Sequence, residues 1–440
     1  MAKQVVIIGG GFAGLAAGVR LSERGYEVLL LERRNHLGGR AYSFIDSKTG
    51  DVVDNGQHLF MGCYRHTIDF LRTIGCLDRL KFQDRPRVDF LDREGFTSFD
   101  CPLLPAPLHV LAGLLRMKGL SIGDKLRTFN VGRAIKSNGK HSPGALTVDQ
   151  WLDELGQSAR IKQRFWQPMV VATLNQSPGI ASARMLKVVL QEAFGGDSKS
   201  ARIGISRVGL SDLYTDGACD FIKARGGDVQ TGAQVRTLVI EQGVVVAVEL
   251  KDGQRIEGDY FISAVPPEAL FAILPEELQN REFASLMGLG SSPIVSINLW
   301  FDRPIIDREF VGLLGTRSQW IFNKDLILSP GKQSNQVAVI ISAARDYVDW
   351  TRNDLVDMAI SELHELLPAS REATLLHSII VKEREATLSH TVESDSLRPG
   401  PRTSIPNLIL AGDWTDTGLP ATIESAVMSG DVAAKVLSGS

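Results

Sequence analysis

Three glycines near the start of the chain have the spacing of a phosphate-binding turn. Gly9, Gly11 and Gly14 satisfy GxGxxG between an apolar run and a helix-like segment that opens with Phe12 and Ala13. In such a turn the first glycine permits a tight bend, the second lets backbone approach a pyrophosphate, and the third allows close helix–strand packing. The free N–H groups at the start of the helix face the phosphates. The spacing therefore predicts a dinucleotide site.

An acidic residue follows this turn at the distance that a ribose contact requires. Glu32 lies 21 residues after Gly11, close to the roughly 20 residues expected for the acid that binds an adenosine ribose. Its charge disfavours a 2′-phosphate and therefore NADP. We also predict that Arg33 contacts the cofactor. A second glycine turn, which contains Gly39 and Arg40, is predicted to contact it as well. Arg40 would pair with the pyrophosphate or hold the chain beneath a flavin.

The C-terminal segment LAGDWTDTGLPATIESA favours a flavin over a nicotinamide cofactor. Gly412 allows close approach, and Asp413 can accept hydrogen bonds from a ribityl chain. Pro420 suits the first turn of a helix. The N–H groups of that helix near Thr422 and Ile423 would face the pyrimidine edge of the flavin, where they would stabilise the negative charge of the reduced ring.

A polar pair interrupts the apolar stretch VVDNGQHLFMGCY. Gln57 and His58 follow Gly56, which we also predict to contact the cofactor. Polar side chains in such surroundings need a hydrogen-bond partner or a chemical role. Two interpretations remain open: the pair faces the cofactor, or backbone groups satisfy both side chains and the pair only holds the loop in place.

The elements that must position these residues come from separated parts of the chain. QVVII and EVLLLE read as buried strands on either side of a helix, which is a βαβ start. The stretch 226–267 reads as a series of strands belonging to the same sheet, and 407–414 as a strand that leads to the C-terminal helix. The fold class predicted is α/β, with a discontinuous Rossmann-like FAD-binding domain of the glutathione-reductase-like type and a mixed α+β substrate domain.

The predicted domain boundaries follow from this division. The FAD-binding domain takes residues 1–84, 201–267 and 395–440, and the substrate domain takes 85–200, with helical periodicity, and 268–394.

Composition limits the classes of function. The chain has 440 residues, 44% hydrophobic and 22% charged, with a net charge of −3. This composition is typical of a folded protein and gives no basic field for nucleic acid. The four cysteines have no metal-type spacing, so no metal site is expected. No signal peptide or membrane-spanning run is seen, and we expect a cytoplasmic protein.

With these motifs identified, the chain resembles the flavin amine oxidase and carotenoid desaturase superfamily. The resemblance rests on GGGFAGL, the E…GGR spacing, the GAQV region and the AGDW…ATIESA tail. It implies FAD as the cofactor, and it implies that Val235 lies at the adenine through its backbone polar groups.

Within that superfamily the chain resembles the hydroxysqualene dehydroxylases. The segments DNGQHLFMGCYRHT and FWQPMVVATLNQSPGIASARM and the tail GDWTDTGLPATIESA carry this resemblance, with Ser425 where a glycine is expected. Members remove the hydroxyl of hydroxysqualene with reduced FAD, giving squalene in bacterial hopanoid synthesis. The resemblance implies a long apolar isoprenoid substrate and, because only one GxGxxG occurs, an external electron donor. We expect His58, as imidazolium, to donate to the leaving hydroxyl, while Gln57 orients it or contacts the flavin.

Other functions stay open at this point. A carotenoid-type desaturase or a flavin amine oxidase would run the flavin in the oxidative direction. An amine oxidase often has an aromatic cage, but here only Trp414 is present before the helix. A non-enzymatic alternative is a flavin-bound subunit that holds isoprenoids without converting them.

The apolar stretch 103–118 ends in two cations, Arg116 and Lys118. It predicts either peripheral contact with an anionic membrane, such as the inner membrane, or a helix buried under the substrate domain that lines the substrate tunnel. Trp166 is expected in the core or in the tunnel wall.

Overall fold

The structure is a computed structural model that describes residues 3–104, 108–136, 143–279, 283–328 and 333–439. Its strands, in chain order, are β1 (Gln4–Ile8), β2 (Glu27–Glu32), β3 (Ser43–Ile45), β4 (Val52–Asp54), β5 (Phe60–Met61), β6 (Leu80–Phe82), β7 (Arg87–Asp92), β8 (Gly95–Asp100), β9 (Ile203–Ser206), β10 (Asp228–Thr231), β11 (Val235–Glu241), β12 (Val244–Leu250), β13 (Arg255–Glu257), β14 (Tyr260–Ser263), β15 (Ser291–Phe301), β16 (Phe310–Leu313), β17 (Trp320–Asn323), β18 (Gln336–Ile341), β19 (Leu375–Leu388) and β20 (Leu408–Leu410).

The α-helices are α1 (Phe12–Glu23), α2 (Arg65–Thr73), α3 (Leu108–Arg116), α4 (Ile122–Lys136), α5 (Val148–Glu154), α6 (Ala159–Ile161), α7 (Gln167–Leu174), α8 (Ala183–Phe194), α9 (Leu210–Lys223), α10 (Pro267–Ile273), α11 (Glu276–Gln279), α12 (Lys324–Leu328), α13 (Arg352–Leu366), α14 (Ser394–Leu397) and α15 (Ile423–Ser438). A π-helical turn, Lys162–Trp166, joins α6 to α7. In the part of the chain that the structure describes, no helix is long and apolar enough to cross a membrane.

A five-stranded parallel sheet carries the N-terminal glycine turn. Its strand order is β10-β2-β1-β14-β20. The run QVVII forms β1 at its centre and is buried on both faces, as parallel strands are. Helices α1, α9 and α15 cover one face, and their apolar side chains form a common core with β1 and β2. The two predicted N-terminal strands and the C-terminal strand are thus confirmed.

A seven-stranded mixed sheet lies apart from the parallel one. Its order is β19-β15-β18-β17-β16-β7-β8, and every neighbouring pair is antiparallel except β16 and β7. Helix α13 packs on one face. Helices α3, α4, α5, α7 and α8 contribute to the apolar cluster on the other face. The sheet is therefore buried on both sides.

Two details of the predicted organisation were wrong. In the stretch 226–267 only β10 and β14 join the parallel sheet, whereas β11, β12 and β13 form a separate antiparallel sheet. The chain reverses at Gln242 and Gly243, both with positive φ, which produces a hairpin instead of a crossover. The segment 85–200 is also not helical throughout, because it begins with the β7–β8 hairpin.

The two large sheets draw on different parts of the chain. All five strands of the parallel sheet fall within 1–84, 201–267 and 395–440, and all seven strands of the mixed sheet fall within 85–200 and 268–394. The exact domain boundaries stay a prediction.

Candidate active site

A cavity of about 310 Å³ opens where the carboxyl ends of the parallel strands meet. Ile8 at the end of β1, Glu32 at the end of β2, and the residues that follow β14 and β20 all line it. This edge of an open parallel sheet is where such folds bind nucleotides. We refer to this space as the cofactor cavity.

The glycine turn is built for close backbone approach. Gly9 has φ +110°, a conformation that favours glycine, and a Cβ atom there would lie 2.8 Å from the carbonyl oxygen of Ala264. Helix α1 begins after Gly11 without a side-chain cap, so its first N–H groups face the cavity. A Cβ atom on Gly14 would lie 1.9 Å from the Gly9 oxygen. Gly14 therefore packs the turn and does not line the cavity.

Most of the other residues predicted to bind the cofactor line the cavity. Glu32 lines the cavity and accepts hydrogen bonds from the N–H groups of Gly10 and Arg34, at 2.8 and 2.9 Å. Phe12 also lines it and stacks on Tyr214, with ring centroids 3.6 Å apart. The rest of the predicted set that lines the cavity is Gly9, Gly11, Ala13, Arg33, Gly39, Arg40, Val235, Gly412, Asp413, Thr422 and Ile423.

Arg40 and Asp413 form an ion pair in the cavity wall. The sequence assigned them separately to the pyrophosphate and to the ribityl chain. The structure instead joins the second glycine turn to the C-terminal segment through these two side chains, and Arg40 also donates to the Ala386 oxygen at 3.4 Å. Both groups still face the cofactor cavity.

Helix α15 begins at Ile423, one residue after its N-cap Thr422. Pro420 therefore precedes the helix, contrary to the expectation that it lies in the first turn. The hydroxyl of Thr422 accepts from the N–H of Ser425 at 3.3 Å. Ser425, where a glycine is expected, is buried and its hydroxyl bonds that of Thr417 at 2.7 Å. This contact fixes the loop that precedes the helix.

Gln57 and Gly56 do not line the cofactor cavity, contrary to the prediction for both. Gln57 donates to the carboxylate of Asp54 at 2.9 Å, and Asp54 also accepts from the buried ammonium of Lys324 at 2.6 Å and from the N–H of Leu210 at 3.0 Å. Gln57 therefore belongs to a buried polar cluster behind the loop.

His58 does line the cofactor cavity. Burial lowers its pKa from the ordinary 6.5; the carboxylate of Asp54 opposes this shift and Arg40 adds to it. The surroundings therefore favour a neutral imidazole over the imidazolium expected from the sequence. A neutral ring still carries one N–H donor.

A second, apolar cavity of about 620 Å³ lies next to the first. Thr422 lines both cavities, and His58 of the first is followed in the chain by Leu59 of the second. We call this space the apolar cavity. The Tyr, Phe and Trp rings that line it are Tyr64, Phe90, Phe99, Phe165, Phe194 and Trp320. Its walls are mainly apolar, although Arg65, Arg87 and Glu192 also line it, and it adjoins the cofactor cavity at Thr422.

The segment FWQPMVVATLNQ supplies one wall of the apolar cavity. Phe165, Met169 and Thr173 line it through the π-helical turn and α7. Trp166 points into the core instead, where its indole N–H donates to Gln157 at 3.0 Å. Asn175 ends α7 in the left-handed region.

Few polar groups face the apolar cavity near the shared wall. The Tyr64 hydroxyl contacts Thr422, and burial raises the pKa of Tyr64, so this hydroxyl keeps its proton. Burial also raises the pKa of the Cys63 thiol to about 12. Burial likewise raises the pKa of Glu424, although its carboxylate accepts from the N–H groups of His66 and Thr67 at 2.8 and 2.9 Å.

Sequence reasoning missed several lining residues. Arg34 lines the cofactor cavity and donates to the Gly39 oxygen at 3.0 Å. Ala386 and Thr387 reach the same cavity from the end of β19. Arg34 lies two residues after Glu32, so the sequence motif could have indicated it. No motif marks the two residues of β19, which arrive there only because the mixed sheet packs beside the cofactor cavity.

The comparisons with known proteins bear on the whole chain. A family model described as flavin containing amine oxidoreductase matches residues 12–438. The chain belongs to this family. It is an FAD-dependent oxidoreductase, and the glycine turn, the uncapped start of α1 and the cations Arg33, Arg34 and Arg40 fit a cofactor that carries a pyrophosphate.

Individual proteins are similar to this chain over most of their length. The chain is 32% identical to a hydroxysqualene dehydroxylase of Rhodopseudomonas palustris (strain ATCC BAA-98 / CGA009), covering 99% of each protein. It is 29% identical to one of Sinorhizobium fredii (strain NBRC 101917 / NGR234), covering 99% of this chain and 98% of that protein. A 15-cis-phytoene desaturase of Arabidopsis thaliana is 26% identical, and 78% of its length is covered.

Solved structures share the fold. An oxidoreductase from Methanosarcina mazei superposes with a TM-score of 0.74 at 19% identity, covering 98% of this chain and 99% of that one. Cyclohexylamine oxidase from Brevibacterium oxydans superposes with a TM-score of 0.72 at 15% identity, covering 100% and 99%. At these identities the likeness concerns the fold.

Proposed function

We propose that this enzyme removes the hydroxyl group of hydroxysqualene reductively and releases squalene, in hopanoid or squalene biosynthesis. The observation that carries the proposal is the apolar cavity of about 620 Å³ that shares Thr422 with the cofactor cavity. The full-length similarity to two hydroxysqualene dehydroxylases supports it. A long hydrocarbon with one allylic hydroxyl matches a space whose walls are mainly aromatic and aliphatic.

The reaction requires that the allylic carbon–oxygen bond breaks with its electron pair leaving on oxygen. The oxygen takes up a proton that comes from solvent and departs as water, and the carbon gains a hydride. When bound, reduced FAD supplies that hydride and is oxidised. The apolar walls exclude bulk water, which would otherwise capture the electron-poor carbon. Phe165, Met169 and Leu59 contribute to this exclusion.

The leaving oxygen needs a hydrogen-bond donor at the boundary between the two cavities. His58 lies on the cofactor side, Tyr64 lies on the apolar side, and Thr422 lines both cavities. We propose that neutral His58 donates its N–H to the leaving hydroxyl. Tyr64, which keeps its proton, is the second donor within the same region. Gln57 supports the loop through Asp54 and acts as a positioning residue.

The electrons for this reaction must enter from outside the chain. The described residues form one glycine turn of the dinucleotide type, at Gly9–Gly14. We propose that an external donor reduces the bound FAD.

The decisive experiment is an anaerobic single turnover. The bound FAD is reduced chemically, hydroxysqualene is added, flavin absorbance is followed, and the product is identified by mass spectrometry. Stoichiometric flavin reoxidation with formation of squalene is the expected result. A matched control replaces hydroxysqualene by squalene, which has no hydroxyl and should leave the flavin reduced.

The other outcomes separate the alternatives. If reduced flavin persists and no squalene forms, the reductive reaction is wrong, and oxidised enzyme is then tested with polyenes and amines. Flavin reduction by a polyene would indicate a desaturase, and reduction by an amine would indicate an amine oxidase. Binding of hydroxysqualene with no spectral change under either condition would indicate a carrier. Trp414 disfavours the amine reaction, because it lines the cofactor cavity only and donates to the Val265 oxygen at 3.0 Å.

A further inference from the structure

Helices α3 and α4 present an apolar surface on the outside of the protein. Six large apolar side chains, all more than a third exposed, lie on or directly beside these helices: Leu104, Leu108, Leu115, Ile122, Leu126 and Phe129. Of the stretch singled out in the sequence, residues 105–107 lie outside the described part of the chain. We call the six side chains the α3–α4 surface.

The apolar residues of α4 share one face of the helix. Ile122, Leu126 and Phe129 follow each other at spacings of four and three, which places them on the same side. They are 74%, 54% and 46% exposed, whereas Val131 and Ala134 of the same helix are buried. An apolar stripe left in water beside a properly buried stripe marks an interaction surface.

Cations surround this surface. Residues 108–136 contain six Lys and Arg residues and a single acidic residue, Asp124. Asp124 is buried and accepts hydrogen bonds from the hydroxyls of Ser121 and Ser158 at 2.7 and 2.5 Å, and its single charge leaves the segment with a positive excess. Arg127 and Arg133 are exposed on α4. Apolar side chains ringed by cations fit the interface of an anionic lipid bilayer.

The α3–α4 surface is also continuous with the wall of the apolar cavity. A Cβ atom on Gly113 of α3 would lie 3.0 Å from the ring of Phe99, and Gln191 donates to the Ile135 oxygen of α4 at 2.9 Å. Both Phe99 and Gln191 line the apolar cavity. One side of the α3–α4 pair therefore faces solvent, and the other side supports the cavity that would hold the substrate.

We propose that the α3–α4 surface docks the enzyme on an anionic membrane, with Ile122, Leu126 and Phe129 inserted among the lipids and the neighbouring cations at the headgroups. This inference deepens the proposed function, because an isoprenoid substrate dissolves in the bilayer and would enter the apolar cavity from the docked side. The sequence left docking and burial open for 103–118. The structure adds α4, which carries three of the six exposed side chains, Ile122, Leu126 and Phe129.

The test measures binding of the FAD-loaded enzyme to vesicles by flotation. Vesicles of phosphatidylcholine alone are compared with vesicles that also contain phosphatidylglycerol. We expect the enzyme to float with the anionic vesicles and to be released by salt. The double variant Ile122→Asp/Phe129→Asp should bind at least tenfold more weakly. Arg127→Gln/Arg133→Gln should lose the preference for anionic lipid. The matched control is Leu376→Asp on β19, which changes a side chain that is 60% exposed but far from α4 in sequence and should bind as wild type does.

Two results would overturn the docking proposal: equal binding by wild type and Ile122→Asp/Phe129→Asp, or no binding of wild type to either vesicle. A dimer in sedimentation velocity that this double variant converts to monomers would also overturn it, because the α3–α4 surface would then bind a second copy. Turnover of detergent-dispersed hydroxysqualene separates this proposal from the proposed function. A variant that fails to float but converts dispersed substrate normally has lost docking alone.

Discussion

His58 and Gln57 are neighbours in the chain, but their side chains have different surroundings. His58 faces the cofactor cavity, and Gln57 turns to Asp54. This divergence follows from the ion pair of Asp54 with Lys324, which draws the amide of Gln57 into a buried polar cluster. At the scale of single residues, burial and charge decide what each polar group can do.

The protonation state of His58 gives a prediction that does not depend on turnover. Its pKa in the folded enzyme lies below 6.5, so the unfolded chain binds more protons as pH falls, and protonation favours unfolding. The stabilising contribution of neutral His58 is present above about pH 6.5 and is lost as pH falls through the lowered pKa. We expect the Tm of wild type to fall more steeply below that pH than the Tm of His58→Gln.

A second variant tests the role of His58 in catalysis. His58→Leu, which removes the N–H donor that His58→Gln would keep, should retain FAD and lose about 10²-fold in the rate of flavin reoxidation by hydroxysqualene, the lower end of what one positioned hydrogen-bond donor contributes. Full turnover with FAD retained would show that His58 only lines the cavity. Tyr64→Phe is then the next variant, since it removes the second donor at the boundary.

The ion pair of Asp54 and Lys324 makes a prediction about stability. Both side chains are buried, so Lys324→Met leaves an uncompensated carboxylate and should cost about 3–5 kcal/mol of unfolding free energy. The exposed pair of Arg384 and Asp349 is the control, and Arg384→Ala should cost less than about 1 kcal/mol. Urea denaturation measures both. Equal costs would mean that burial does not strengthen the Asp54 interaction.

At the scale of elements, the contact between α1 and α15 brings the two ends of the chain together. Gly430 of α15 permits it, because a Cβ atom there would lie 2.4 Å from the Ala13 oxygen and 2.8 Å from the Ala17 nitrogen. Both helices begin at the cofactor cavity, α1 after Gly11 and α15 after Thr422. Their close packing sets the distance between the phosphate end and the flavin end of the site.

Substitution of this glycine should therefore affect cofactor binding as well as stability. Gly430→Ala forces the helices apart, and we expect a loss of about 1–3 kcal/mol in unfolding free energy together with weaker FAD binding. Gly132→Ala is the control: it lies in α4 with open space at the Cβ position and should gain up to about 1 kcal/mol of stability from helix propensity. Thermal unfolding and FAD titration measure both effects. Unchanged FAD affinity in Gly430→Ala would contradict the spacing argument.

At the scale of the whole molecule, the cofactor cavity is assembled from distant parts of the sequence. The ion pair of Arg40 with Asp413 joins the N-terminal part of the chain to the C-terminal part. Strand β19 of the mixed sheet contributes Ala386 and Thr387 to the cavity. A ligand that spans this cavity must stabilise the packing of all these parts. FAD is therefore expected to act as a structural element as well as a reactant.

Ligand addition to the FAD-free protein tests this view. FAD at about one hundred times its Kd should add about 2.7 kcal/mol to the unfolding free energy. ADP at the same concentration should raise Tm less, because it leaves the flavin end without contacts. Glu32→Gln should weaken stabilisation by both ligands, whereas Asp413→Asn should weaken only that by FAD. An equal effect of Asp413→Asn on ADP would place that carboxylate at the nucleotide end.

Much of the nucleotide end could be predicted from the sequence, because its signals are local. The turn Gly9–Gly14 and the acid Glu32 occupy positions set by one strand, one turn and one helix, and the buried strands β1 and β2 follow directly from their apolar runs. The resemblance carried by FWQPMVVATLNQ implied an apolar substrate, and Phe165 of that segment lines the apolar cavity. Chain geometry over short distances fixes these features without reference to the rest of the molecule.

Tertiary structure alone decided where the remaining side chains point. The pairing of Arg40 with Asp413 and of Asp54 with Lys324 joins residues that are hundreds of positions apart. The separate β11–β13 sheet and the neutral state favoured for His58 likewise depend on packing. Local motifs indicate which residues line the cofactor cavity. Burial and charge act through space and not along the chain, so only the folded structure determines the partners of those side chains.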